Sequence, residues 1–178
     1  MDTSIVSLFR RAAQNALAAD FDGVEICANC SYLIDRQSPN SSNEAENSYN
    51  IELENKTQLL LTIIEEVASV WDENKVGIKL ISDSFFLLAK ASGLSSIFYH
   101  IINDLNFYNL AYLHLEKPVT NNLFQNEISL IWLKLIHSIY SGTLIIDCQH
   151  ITQTERETIC QDSTDLVSFN NLSKLSIF

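Results

Sequence analysis

Two cysteines, Cys27 and Cys30, stand three positions apart and just ahead of a tyrosine, Tyr32. Cys-x-x-Cys is the spacing of a dithiol redox pair and of half a zinc site. Cys148 could add a third thiol, but there is no second Cys-x-x-Cys and no histidine at ligand spacing, so no metal is expected. His114 falls within a strand pattern and reads as a core position, and His150 follows another strand, where it could meet an anion. His100 and His137 fall on helices, and Glu65-Glu66 reads as the solvated part of one.

These residues need elements to hold them, and hydrophobic periodicity supplies the elements. Ile5, Phe9, Ala12, Ala13, Ala16 and Leu17 follow the helical period and predict a helix over Ser4 to Ala19. Further helices are expected from Thr57 to Val70, from Leu94 to Leu105 and from Phe124 to Tyr140, with a capping box at Thr152 and Glu155 opening a short one. Strands are expected at Gly23–Ile26, Val76–Leu80, Tyr112–Leu115, Thr143–Ile146 and Leu166–Phe169. Residues 36–55 are rich in Ser and Asn and read as a polar loop inside one domain spanning 1–178. The strands read as continuous apolar runs, the pattern of parallel strands buried on both faces, so the fold class is α/β with right-handed crossovers. Five such strands do not close an eight-stranded barrel.

Composition narrows the partners. Hydrophobic residues make up 47% and charged ones 19%, which describes a globular chain. The net charge of −11 argues against nucleic acid, whose phosphates need a basic surface. Ile5 to Phe9 precedes Arg10 and Arg11, the reverse of a secretory leader, and Leu59 to Ile64 is too short to span a bilayer. Four cysteines are too few for a disulfide scaffold, and a cytoplasmic location is expected. The sequence holds only 4 glycines in 178 residues, against a usual share of about 7%. Phosphate-cradling backbone generally needs glycine, so any nucleotide site must survive that shortage.

Several segments, in order, resemble one family. Phe9-Arg-Arg-Ala-Ala-Gln-Asn-Ala and Phe21-Asp-Gly-Val-Glu-Ile are similar to a helix and strand of the old yellow enzymes, the FMN-dependent ene-reductases. The likeness continues through Tyr32-Leu33-Ile34-Asp35, Ser38-Pro39, Ser42-Asn43 and Glu52-Leu53-Glu54-Asn55-Lys56. Val76-Gly77-Ile78-Lys79-Leu80, Tyr112-Leu113-His114-Leu115-Glu116, Gly142-Thr143-Leu144-Ile145-Ile146 and Asp165-Leu166-Val167-Ser168-Phe169 follow at roughly family spacing. The resemblance implies a partial (β/α)8 TIM barrel holding strands four to eight, with FMN as cofactor, NAD(P)H as reductant and a small activated alkene as substrate.

The resemblance also assigns roles, and most are altered here. Family loops after strand four read H-x-A-N-G-Y-L, and this one reads Cys27-Ala28-Asn29-Cys30-Ser31-Tyr32-Leu33. Cys27 and Cys30 therefore occupy the positions that hold the substrate carbonyl, and Tyr32 keeps that of the proton donor. A thiol donates weakly, so losing one oxyanion donor is expected to cost roughly 2–4 kcal/mol of transition-state stabilisation. Lys79 replaces the strand-five arginine at the flavin's pyrimidine edge, keeping the charge and losing the planar fork. The phosphate loops, Gly-Gly and Gly-Arg in the family, read Cys148-Gln149 and Asn170-Asn171. A much weakened FMN site is expected, in a truncated chain with little activity of its own. Open strand edges favour self-association or a complementary half-barrel chain.

Overall fold

Val76, Ile78 and Leu80 alternate with Gly77 and Lys79, and the three branched side chains are completely buried. Leu113, Leu115, Leu144 and Ile146 repeat the pattern, which puts one apolar face on a pleated sheet. The computed structural model describes residues 3–28, 47–81, 96–116, 134–147 and 164–168. It forms one sheet of five parallel strands in the order β1 (Val24–Ala28), β2 (Val76–Ile81), β3 (Tyr112–Glu116), β4 (Leu144–Asp147) and β5 (Leu166–Ser168). Sequential parallel neighbours with helices between them are the arrangement of a (β/α) barrel wall.

Three helices pack on the apolar face: α1 (Thr3–Ala18), α2 (Asn47–Ala68) and α3 (Ser96–Leu105), and 134–139 is also helical. Ile63, Ile64 and Val67 of α2 and Ile101, Ile102 and Leu105 of α3 are buried in the same core as the strands. α1 contributes Ala13, with Ile5, Phe9 and Ala16 half-buried beside it. The indole of Trp71, just after α2, donates to the Ala13 carbonyl at 3.1 Å and joins the two helices. No helix among the described residues is long and apolar enough to cross a membrane.

α1 ends in a Schellman arrangement without its usual glycine. Asp20 takes the left-handed conformation at φ 62°, its N–H donates to the Leu17 carbonyl, and the N–H of Phe21 reaches the Ala16 carbonyl at 3.3 Å. Asp tolerates this region better than most residues, which places Gly23 and β1 immediately after the turn.

Two sequence expectations need correction. The polar stretch 36–55 is not a loop throughout, because 47–55 form the first turns of α2. Prolonging a helix adds a hydrogen bond for each residue fixed, so a polar run that could not nucleate one can extend one already anchored by Leu60, Ile63 and Val67. The strands, moreover, are not apolar on both faces. The alternate set Glu25, Cys27, Lys79, His114, Glu116, Asp147 and Ser168 shares the opposite face, the side that faces the lumen in a (β/α) barrel wall.

Candidate functional site

The strands bring the lumen residues into a network that begins at Gly77. A Cβ there would lie 2.3 Å from the Tyr112 ring, so the ring rests directly on the backbone of β2. From this position the Tyr112 hydroxyl hydrogen-bonds to Glu25, and burial together with that carboxylate pushes the phenol up to about 12. Glu25 Oε2 also meets His114 Nδ1 at 3.0 Å, and His114 Nε2 lies 3.0 Å from Ser168 Oγ. The three residues come from β1, β3 and β5. Strands two apart in a flat sheet are about 9.5 Å apart, so one imidazole can bridge to both sides only across a strongly curved wall. Side chains from alternate strands meeting in one layer are the packing rule of a barrel interior.

One step nearer the C-terminal end of β3 lies an ion pair. Lys79 Nζ is 2.8 Å from Glu116 Oε2, with only 14% and 20% of the two side chains exposed. Burial opposes the lysine's charge, but its hydrogen bond to Glu116 and the carboxylates of Glu116, Asp147 and Glu25 outweigh it and raise its pKa. Asp147 itself is completely buried. Cys27 pairs in register with Lys79, is exposed, and forms no disulfide. Burial pushes its thiol up, the lysine opposes this, and Glu25 and Glu116 add to it. Cys27 is therefore a protonated, weakly donating thiol near neutral pH rather than a reactive thiolate.

Of the residues singled out in the sequence, the structure brings Cys27 and Lys79 side by side on the lumen face. Cys30, Tyr32, Cys148, Gln149, Asn170 and Asn171 lie outside the described residues, as do His150 and the capping box at Thr152. Among the described residues no three His, Cys, Asp or Glu side chains are grouped to hold a metal. Sequence reasoning missed the acidic and hydroxyl partners Glu25, Glu116, Asp147 and Ser168. Their signal was faint: β1 and β3 place polar residues at alternate positions, while β2, β4 and β5 each carry a single one, at Lys79, Asp147 and Ser168.

A model of the family described as NADH:flavin oxidoreductase / NADH oxidase matches residues 3–171. The chain belongs to that family. FMN and NAD(P)H are the family's cofactor and reductant, and the old yellow enzyme resemblance is borne out. A 12-oxophytodienoate reductase-like protein of Solanum lycopersicum is 31% identical over 172 residues, covering 94% of this chain and 45% of the relative. The 12-oxophytodienoate reductase 2 of Arabidopsis thaliana is 27% identical, covering 93% of this chain and 44% of its own length. A morphinone reductase variant, solved in complex with tetrahydroNAD, superimposes with a TM-score of 0.69 at 25% identity over 95% of this chain and 46% of its own. The old yellow enzyme homologue from Zymomonas mobilis shares the fold, with a TM-score of 0.68 at 22% identity. The chain spans about half the length of the curated relatives it matches.

The lumen residues can be tested against an FMN ring directly. A reduced flavin carries negative charge at its pyrimidine edge, and Lys79 would have to face it while already bound to Glu116. Three carboxylates, those of Glu25, Glu116 and Asp147, share the face with that one ammonium. These described residues do not make a flavin site by themselves.

The same network predicts an acid response. The His114 hydrogen bond outweighs burial and lowers the Glu25 pKa below its ordinary 4.5. A carboxylate with a depressed folded-state pKa contributes stability that is present above 4.5 and lost as pH falls through the lower folded value. Glu25→Gln removes that contribution. Melting curves from neutral to acid pH should show the gap between wild type and variant widest at neutral pH and closing below 4.5. A gap that stays constant with pH would refute the assignment.

Proposed function

We propose that this chain is strands four to eight of an FMN-dependent NAD(P)H oxidoreductase barrel of the ene-reductase kind, with weak or no alkene-reducing activity of its own. The observation that carries the proposal is the commitment of Lys79 to Glu116 at 2.8 Å, beside a protonated Cys27 where the family resemblance expects a carbonyl-holding histidine. In the complete enzymes an oxyanion develops on the substrate carbonyl as hydride arrives, and donors aimed at that oxygen supply much of the catalysis. Cys27 donates weakly, Cys30 is a second thiol at the partner position, and Cys148-Gln149 and Asn170-Asn171 supply neither glycine nor arginine for the phosphate. Tyr32 retains a proton donor, with little polarisation for it to complete. The cytoplasm is the proposed location. The test is turnover of a cyclic enone by the full chain with NADPH and added FMN. No rate above that of free FMN is expected, and saturable enone reduction would overturn the proposal.

A second reading is favoured by one specific feature: among the described residues β1 is an edge strand of the sheet. A groove of about 380 Å³ runs there, lined by Phe9, Ala12, Ala13, Ala16, Phe21 and Val24, with Phe21 64% exposed. In a right-handed βαβ unit the strand preceding α1 would pair with this edge. The chain would then act as one half of a split barrel, completed by strands one to three on another polypeptide. Sedimentation of the purified chain tests this reading: self-association or a stable complex with a strands one-to-three fragment is expected, and a monodisperse monomer indifferent to the fragment contradicts it.

A further inference from the structure

The lumen network holds a second chemistry that needs no flavin. We propose that Ser168, His114 and Glu25 form a nucleophilic relay for acyl transfer, acting on small uncharged carboxylic esters.

The arrangement rests on two distances and on donor bookkeeping. Glu25, with its lowered pKa, is an ionised acceptor near neutral pH, so the 3.0 Å contact to His114 Nδ1 requires the proton on Nδ1. In neutral His114 the other nitrogen, Nε2, is then a bare lone pair, and the hydroxyl 3.0 Å away on Ser168 must be the donor. That is the protonation pattern of a general base aimed at a serine and oriented by a carboxylate, a constellation recognised by geometry and roles rather than by fold. Glu25 is in turn oriented by the Tyr112 hydroxyl, whose ring is fixed against Gly77. The triad residues come from three different strands, so none can drift without bending the sheet.

Access and charge set the substrate class. The Glu25 side chain is 31% exposed and that of His114 is 11% exposed, so the relay opens onto the lumen face rather than into the core. The Glu116 and Asp147 carboxylates on the same face disfavour anionic acyl groups. In the acylation step Ser168 Oγ bonds to the acyl carbon as its proton passes to His114 Nε2. The carbon–oxygen bond to the alcohol then breaks, and the alcohol leaves with that proton. Water attacks the acyl-serine, gives one proton to Nε2, and the carboxylic acid departs as Ser168 recovers its hydrogen.

The experiment is covalent labelling of the full chain with an alkyl fluorophosphonate, mapped by peptide mass spectrometry, with circular dichroism on every sample. A single adduct on Ser168 is expected, absent in Ser168→Ala. Both His114→Gln and Glu25→Gln should slow labelling by about 100-fold, the scale of a lost general base. Either variant suffices if the other fails to fold. A wild-type chain carrying no adduct on Ser168 would overturn the proposal, as would an adduct formed at the same rate in a folded His114→Gln or Glu25→Gln. Because none of these measurements involves FMN or NADPH, their outcome is independent of the flavin reading.

Discussion

Trp71→Ala is expected to destabilise the chain by about 3–5 kcal/mol, the range for removing a buried indole. Trp71 is only 4% exposed, packs in the core that joins α1, α2 and the sheet, and donates its indole N–H to the Ala13 carbonyl. The substitution opens a cavity and at the same time takes the donor from a buried backbone oxygen, two penalties that add. Domains of this size are stable by only about 5–15 kcal/mol, so the variant should lose much of its folding free energy. Urea unfolding followed by circular dichroism measures it directly. Trp71→Phe, which keeps an aromatic ring but less volume and loses the N–H, should recover part of the loss. A midpoint for Trp71→Ala equal to wild type would mean that α1 is not docked on α2 through this residue.

The second large effect is at the lumen ion pair. Lys79→Met leaves the aliphatic stem and removes the ammonium, so Glu116 and Asp147 lose its compensating charge while staying in place. Breaking a fully buried pair costs about 3–5 kcal/mol, and the partial exposure here lowers the expectation to about 2–3 kcal/mol. The double variant Lys79→Met with Glu116→Gln should recover at least half of that, because the amide needs no counter-ion. The coupling is read from the four unfolding free energies of the cycle. Additive losses would show that the two side chains do not depend on each other. Lys79 also has a raised pKa, so its contribution is complete below pH 10.5 and disappears as pH rises through the folded value.

Much of the fold was legible because buried branched residues alternate with others in every strand. The α1 boundaries from periodicity lie one residue from those observed, Thr3–Ala18, and each expected strand has its counterpart in the sheet. The start of α2 at Asn47 was not legible, since helix propagation from an anchored segment carries no composition signal of its own. The lumen was misread for a different reason. Gly77, Lys79 and His114 sit among so many apolar neighbours that their strands look uniformly hydrophobic, and only the register reveals which polar residues share a face. Lys79 was identified from its place in a family segment. That it faces Glu116 depends on curvature and parallel offset, which no single-strand pattern encodes.

That ion pair also bears on the Cys27-x-x-Cys30 spacing. Cys27 stands next to Lys79, and the thiol there is held protonated in a lumen already rich in carboxylates. The acyl-transfer relay uses the deeper layer of the same face, so an organised serine there does not depend on flavin chemistry.

The measurement that tests the proposed reading most directly is titration of the purified full chain with FMN, followed by flavin fluorescence and absorbance. The predicted result is no saturable binding at micromolar flavin, with Lys79 still committed to Glu116. Stoichiometric flavin that survives dialysis and oxidises NADPH in the presence of an enone would contradict it.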